Sequence, residues 1–238
     1  RIFNLEEGNP TDSYELDQVA ADLGTRWETL NVGFKFYSAC GSSHTTIDVL
    51  LALKQKHRFQ AKDVDHILVK SSTATRDHVG WPYVPSSVTT AQMNLGFAAA
   101  VAILDGQVFV DQFQDDRLRD SRIIQLARRV EVVADPTIDA AGPTHRHEVG
   151  IEVRLTDGST LSGGAVHGKG SPAVPLSRDE LKSKFLTLAG KRVGESRAMA
   201  IFDTVMDLET LENVNVLTDA LRGRSSARVA VRRGEVMS

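Results

Sequence analysis

The sequence predicts an α+β fold, in which strands lie between helices at the two ends of the chain. Three observations carry this prediction: a helical apolar pattern before Gly24, an alternating pattern on both sides of the turn dipeptide Asp157-Gly158, and a helix-capping motif that begins at Ser177. With 238 residues, the chain is long enough for one large domain or two small ones.

The first third of the chain predicts two helices and two strands. Apolar residues at helical spacing predict a helix from about Tyr14 to Leu23, and the weak alternation in "VGFKFY" predicts a short strand. Ser42 and Ser43 are candidate N-caps for a helix that runs to about Lys56. The alternating segment "DHILVKSS" predicts the second strand.

The middle and end of the chain predict a central helix, a hairpin and further helices. The prolines of "RDHVGWPYVPSS" predict a loop, after which Ser86 or Ser87 caps one long alanine-rich helix through "VTTAQMNLGFAAAVAILDG". "DDRLRDSRIIQLARRVEVVAD" predicts a helix that runs into a strand, and "EVGIEVRLTDGSTLSGGAV" predicts an antiparallel hairpin. Ser177 and Glu180 form a capping box for a helix whose apolar stripe contains Leu181, Phe185 and Leu188.

Composition and charge restrict the class of protein. Hydrophobic residues make up 41% of the chain, charged residues 25%, and the net charge is −3, which argues against a nucleic-acid-binding surface. The basic end "RGRSSARVAVRR" is the local exception, and we interpret it as a solvated terminus. No apolar run is long enough to span a membrane and the first residues lack a signal-peptide pattern, so we expect a cytoplasmic protein with no membrane partner.

One short stretch, "FKFYSACGSSH", contains the residues best suited to catalysis or ligand binding. Lys35 is interpreted either as a lysine on the wet face of an edge strand or as a cation that meets a substrate carboxylate. Spacing alone favours the first interpretation.

Cys40 and His44 lie on either side of the turn at a predicted helix N-terminus. Unpaired N–H groups and the helix dipole favour an anion at such a position, so an anion pocket is possible. The alternative is structural, because cysteine is commonly a small buried residue and His44 shares a helical face with Ile47.

Other candidate sites are weak. His145 and His147 form an H-x-H pair with no carboxylate or cysteine at metal-ligand spacing, so we expect no metal site. The glycine-rich segment "SGGAVHGKGSP", which carries Lys169, lacks the spacing of a phosphate-binding loop.

Several blocks, in order, resemble the MmgE/PrpD family, which includes 2-methylcitrate dehydratase, cis-aconitate decarboxylase and iminodisuccinate epimerase. The blocks are "FKFYSACGSSHTTIDVLLAL", "AQMNLGFAAAVAILDG", "VEVVAD", "VRLTDGSTL" and "KGSPAVPLSRDELKSKF". The resemblance implies an α+β lid domain inserted in a helical domain. It places the end of the helical domain at 1–33, the lid domain at 34–175 and returning C-terminal helices at 176–238.

The resemblance also implies an activity and its partners. Family members act on small di- and tricarboxylates by proton abstraction next to a carboxylate, without an organic cofactor, and they form dimers. The resemblance therefore predicts a small polycarboxylate substrate, an N-terminal helical half supplied by the same gene or by a separate subunit, and a homodimer. Without that half, we expect this chain to be inactive. The alternative is a non-catalytic binding or regulatory subunit that keeps the lid scaffold.

The matching positions imply site residues. Lys35, Cys40 and His44 are the predicted catalytic residues, and Lys35 is also expected to hold a substrate carboxylate. The other predicted substrate-binding positions are Ser42, Ser43, Asn94 and Phe97. Cys40 stands where the decarboxylase branch has a catalytic histidine, and Phe97 stands where members commonly have a tyrosine. The reaction branch, whether dehydration, decarboxylation or epimerisation, therefore stays open.

Overall fold

The computed structural model describes residues 21–222, and it has the α+β architecture that the sequence predicts. The strands are β1 (Val64–Ser71), β2 (Val130–Ala134), β3 (Val149–Leu155) and β4 (Thr160–Ala165). The α-helices of the described residues are α1 (His44–His57), α2 (Thr73–Val79), α3 (Val88–Gln92), α4 (Leu95–Asp105), α5 (Asp115–Leu118), α6 (Ser121–Ala127), α7 (Pro136–Ala140), α8 (Arg178–Val193), α9 (Glu195–Met206) and α10 (Asn215–Arg222).

The four strands form one mixed sheet in the order β2-β1-β3-β4. β1 is parallel to β2, with Ile67 opposite Val130, and antiparallel to β3, with Val69 opposite Ile151. β3 and β4 form the predicted antiparallel hairpin. The parallel pair is possible because a long helical crossover connects β1 to β2.

The core lies between one face of the sheet and helices α1 and α4. Alternate residues of β1 and β3 are fully buried, and α1 packs against both strands of the hairpin. α4 is buried around almost its whole circumference, from Leu95 to Ile103, and it packs against α1 and α6. Its run of small alanines lets these neighbours approach closely, which explains its central place.

Several local predictions are confirmed. The strand predicted in "DHILVKSS" is β1, and Gly158 takes the left-handed conformation, with φ +87°, at the turn between β3 and β4. Ser177 and Glu180 form the predicted capping box of α8. The apolar stripe of α8 is only half-buried, and its Phe185 ring lies 5.9 Å from that of Phe202 on α9.

Other local predictions are wrong, each for a local reason. The long helix expected after Ser87 is interrupted at Asn94, which leaves the helical conformation and caps α4 by accepting a hydrogen bond from the N–H of Phe97. The helix predicted in "DDRLRDSRIIQLARR" breaks in the same way at Asp120, the N-cap of α6. Residues 76–79, expected in a loop, complete α2, which Ser72 caps.

The segment "VGFKFY" is not a strand. It has no strand partner and runs as an irregular segment towards the 3-10 turn Gly41–Ser43. The predicted helix from Tyr14 to Leu23 lies outside the described residues, except for its last three, which belong to a turn. The basic stretch near the C-terminus also lies outside them, apart from its first residue. Among residues 21–222, none of the helices has the length and apolar character needed to cross a bilayer.

Candidate functional site

A cavity of about 190 Å³ lies where α1 begins. Four separate parts of the chain line it: residues 33–35, the start of α1 at Gly41 and His44–Thr45, the single residue His147, and the loop 168–171 after β4. The structure therefore brings Lys35 to the beginning of the following helix.

Glycines allow two of these segments to touch. The N–H of Phe34 donates a 2.7 Å hydrogen bond to the carbonyl of Gly170, which has φ +86°. A Cβ at Gly170 would lie 1.9 Å from the carbonyl oxygen of Phe34. Only glycine fits this position, and the contact fixes the backbone next to Lys35.

Asp48 connects the same two segments to α1. Its Oδ1 accepts a 2.5 Å hydrogen bond from the hydroxyl of Tyr37, and its Oδ2 accepts a 2.6 Å bond from the N–H of Lys169. Asp48 lies one helical turn after His44, so one carboxylate holds both segments beside the cavity.

His44 lies at the start of α1, in surroundings that favour its neutral form. Burial lowers its pKa and the positive charges of Lys35 and Lys184 act in the same direction, against the opposing effects of Ala39 and Asp48. Its Nε2 lies 3.3 Å from the carbonyl oxygen of Ala39. Because a carbonyl only accepts, the proton belongs on Nε2, which leaves Nδ1 with a free electron pair.

Two lysines give the cavity a positive character, and none of its lining residues within 21–222 is acidic. Lys35 is exposed and forms no ion pair within residues 21–222. Lys169 Nζ lies 2.6 Å from Glu180 Oε1 and 5.2 Å from the centre of the Phe36 ring. The bond from Lys169 is the main reason why the pKa of Glu180 falls to about 2. These charges, with the N-terminus of α1, can hold a small anion.

Cys40, Ser42 and Ser43 lie beside this cavity and do not line it. Cys40 is half-buried against the core, and its backbone N–H donates a 2.8 Å bond to the carbonyl of Gln92. Ser42 and Ser43 are buried. Ser43 occupies the predicted N-cap position of α1, but among the described residues neither serine side chain makes a capping hydrogen bond. The 3-10 turn accounts for this, because it puts both serines inside a helical turn.

Asn94 and Phe97 are not at the cavity either. Both are fully buried, and the Asn94 side chain is occupied: it caps α4 and donates a 2.6 Å bond to the carbonyl of Trp81. The ring of Phe97 packs between those of Tyr83 and Phe113. The structure gives these two predicted substrate-binding residues a place in the core, and the candidate site contains neither.

The structure adds residues that spacing does not reveal. Lys169 and His147 enter the cavity from loops far along the chain, and Asp48 and Tyr37 support it. The only signal in the sequence for Lys169 is its block of family resemblance. Within residues 21–222, no group of three or more His, Cys, Asp or Glu side chains is arranged to hold a metal ion.

A larger cavity, of about 530 Å³, lies beside Ile103 and Leu104 at the C-terminal end of α4. Its cations are Lys62, Arg122 and Arg129. Arg122 is bound to Asp120, and Arg129 donates to the carbonyl of Val64. Two of these three cations are therefore engaged, as Lys169 is at the cavity beside α1, so engaged cations do not distinguish the two cavities. Among the described lining residues, the cavity at α1 contains two histidines and the larger cavity contains none, so the cavity at α1 is the better candidate for chemistry.

Comparison with known proteins gives a consistent family assignment. The profile of the MmgE/PrpD C-terminal domain matches residues 37–210. The chain is 28% identical over 218 residues to cis-aconitate decarboxylase from Aspergillus terreus, covering 87% of this chain and 44% of that protein. It is 29% identical over 220 residues to the cis-aconitate decarboxylase-like protein oryM from Aspergillus oryzae, covering 90% and 45%.

Human cis-aconitate decarboxylase is also similar, with 27% identity over 204 residues that cover 84% of this chain and 42% of the human protein. The chain thus spans less than half the length of these relatives. The match to the family profile covers most of the chain and all four strands of the sheet. This chain belongs to the MmgE/PrpD family, and its residues 37–210 are the C-terminal domain of that family.

Proposed function

We propose that this chain is the C-terminal part of a lyase or isomerase that acts on a small di- or tricarboxylate, with proton abstraction next to a carboxylate as its chemistry. The observation that carries the proposal is the pair of lysines, Lys35 and Lys169, at a cavity at the N-terminus of α1 whose described lining residues include no acidic side chain. A substrate with several carboxylates matches that charge, because ammonium groups and helix N-termini both bind carboxylate oxygens.

The neutral state of His44 supports the chemical part of the proposal. Its Nδ1 electron pair can accept a proton, and its low pKa keeps that pair available at neutral pH. Lys35 then has the role of holding a carboxylate. Cys40 lies next to the first turn rather than in the cavity, so its role is to shape the turn.

Among the possible reactions, decarboxylation has the most support, because the relatives described above carry that name. Dehydration and epimerisation are the alternatives within the same proposal. By the family resemblance, Cys40 stands where the decarboxylase branch has a catalytic histidine. Activity on cis-aconitate is therefore measured separately from activity on the other polycarboxylates.

The proposal includes a partner for the exposed apolar side chains at the two ends of the described chain. Trp27 and Leu30 are 65% and 81% exposed, and Val214 and Leu221 are 57% and 58% exposed. Such residues favour burial against more polypeptide. The relatives are more than twice as long as the matched region, so we assign these side chains to contacts with an N-terminal helical half. The proposal further places the assembled protein in the cytoplasm as a homodimer.

A test of the function measures turnover and binding of cis-aconitate, citrate, 2-methylcitrate and iminodisuccinate by the complete protein, with and without Lys35→Ala. We expect kcat/KM on the true substrate to fall at least 100-fold, because a substrate carboxylate loses its cation. Lys62→Ala is the control, since Lys62 is exposed and remote from this cavity. Equal kcat/KM values for Lys35→Ala and the unsubstituted protein would reject the role of Lys35.

The second candidate is a non-catalytic binding or regulatory subunit. Cys40, which stands where the family resemblance implies a catalytic histidine in the decarboxylase branch, favours it. The two candidates differ in one result: the subunit binds a polycarboxylate, seen as a rise in Tm, and does not convert any of the four compounds even when the helical half is present.

A further inference from the structure

His147 is a cavity residue to which neither the fold nor the reaction proposed above gives a task. It lies in the short segment between α7 and β3, and it lines the cavity together with Lys35, His44 and Lys169. In the sequence it belongs to an H-x-H pair, but its partner in that pair, His145, bonds to Glu148 instead and is not part of the cavity wall.

The backbone on both sides of His147 is held firmly. The carbonyl of Arg146 accepts two hydrogen bonds, 2.7 Å from the hydroxyl of Ser72 and 2.8 Å from the hydroxyl of Thr75, and both donors are buried. On the other side, the N–H of Glu148 donates a 2.8 Å bond to the carbonyl of His145. These bonds fix the backbone that carries His147, and a well-positioned backbone is one requirement for selective binding.

The two ring nitrogens of His147 have different surroundings. Nδ1 is buried and has no hydrogen-bond partner among the described residues, while the residue as a whole is half-buried and reaches the cavity. Burial, with the charges of Arg146 and His78, lowers the pKa of His147 and keeps the ring neutral. A proton on Nδ1 would be an enclosed N–H without an acceptor, so the neutral ring carries its proton on Nε2.

Among the described residues, the ring therefore makes no hydrogen bond that explains a histidine at this position. A metal does not explain it either, since no cluster of three ligands is present in residues 21–222. His147 does line a cavity that already carries two lysines, and because Nδ1 is the enclosed nitrogen, Nε2 is the one left to meet a ligand there.

We propose that His147 contacts the substrate directly and donates a hydrogen bond from Nε2 to a carboxylate oxygen of a bound polycarboxylate. This inference rests on the function proposed above, because it takes the cavity at α1 as the place where the polycarboxylate binds. His147 then fixes the orientation of the ligand, while Lys35 and Lys169 neutralise its charge.

The test is the affinity of the complete protein for cis-aconitate and citrate, measured by titration calorimetry for three variants. His147→Ala removes the donor, and we expect Kd to rise roughly 10- to 100-fold, the usual effect of losing a hydrogen bond to a charged group. His147→Gln keeps an N–H near the position of Nε2, so its Kd is expected to stay within about fivefold of the original value. His145→Ala is the matched control two residues away, and we expect no change in Kd.

The Tm of each variant separates binding from folding. A rise in Kd for His147→Ala that His147→Gln largely reverses, with Tm values within a few degrees, supports the contact. Unchanged affinity in His147→Ala overturns it while leaving the proposed function intact. Equal losses in both His147 variants, together with a lower Tm, also overturn it, because they indicate a structural role. If the unsubstituted protein neither binds nor converts any of the four polycarboxylates, the proposed function is rejected and this inference with it.

Discussion

The hydroxyl of Tyr37 donates a 2.5 Å hydrogen bond to Oδ1 of Asp48 on α1. Because the other carboxylate oxygen accepts the N–H of Lys169, Asp48 joins three parts of the chain that lie far apart in the sequence. His44 lies one turn earlier on the same helix, and Lys35 lies two residues before Tyr37. The positions of the segments that carry Lys35 and Lys169 relative to α1 therefore depend on the carboxylate of Asp48.

Removal of the Asp48 carboxylate is expected to lower the stability of the folded protein. Asp48→Ala should lower the free energy of unfolding by about 2–4 kcal/mol, since two hydrogen bonds to a charged acceptor are lost. Asp48→Asn is the milder control, because its oxygen can still accept from Lys169 and its amide can donate to the Tyr37 hydroxyl. Urea unfolding of the three proteins measures the difference. Equal stability of Asp48→Ala and the unsubstituted protein would contradict this account.

A second prediction concerns the close approach of Gly170 to Phe34. Gly170→Ala should destabilise the protein by about 3–5 kcal/mol, because the new methyl group meets a carbonyl oxygen and the residue must keep a positive φ. Gly158 is the matched control, since it has nearly the same φ of +87° with no atom within 4 Å of a Cβ. Gly158→Ala should therefore cost only about 1–2 kcal/mol. Thermal or urea unfolding that ranks the two variants equally would argue against the contact.

Elements that are encoded locally could be predicted from the sequence. The hairpin follows from an alternating pattern with Asp157-Gly158 at its turn, and the capping box needs only Ser177 and Glu180. The break at Asn94 could not be predicted, because a cap in the middle of a helical pattern also depends on the bond from Asn94 to the carbonyl of Trp81, a contact made by the folded chain.

The candidate site could be predicted only in part for the same reason. Lys35 and His44 lie in one short stretch, and the structure does bring them to one cavity. Lys169 and His147 come from loops more than 90 residues later, and nothing in their local sequence indicates that β3 and β4 carry them to the start of α1. The segment around Lys35 is also shaped from a distance, by its backbone bond to Gly170, and this explains why its weak alternation does not produce a strand.

Phe97 provides a test of whether a predicted site residue acts in packing. Its ring is fully buried between two other aromatic rings, so Phe97→Ala should lower the free energy of unfolding by about 3–5 kcal/mol. Phe34→Ala is the control, because that side chain is 61% exposed and its removal should change stability by less than about 0.5 kcal/mol. Similar unfolding midpoints for the two variants would contradict the buried position of Phe97.

The ion pair between Lys169 and Glu180 predicts a pH dependence of stability. The folded protein lowers the pKa of Glu180 from 4.5 to about 2, mainly through the bond from Lys169 and then through the backbone of Ser177. A lowered folded-state pKa stabilises the fold fully above the ordinary pKa, and that contribution is lost as the pH falls from about 5 towards 2. We expect the protein to be more stable than Glu180→Gln at pH 6, with a difference that shrinks steadily down to pH 2.

Urea unfolding at several pH values measures this difference directly. Asp120 has a pKa lowered to about 2 by Arg122, so it contributes to acid unfolding in the same pH range. Its contribution is common to both proteins and cancels in the comparison with Glu180→Gln. A difference that stayed constant between pH 6 and pH 2 would mean that Glu180 does not hold Lys169 at the edge of the cavity, and the lysine would then be free to turn away from a bound anion.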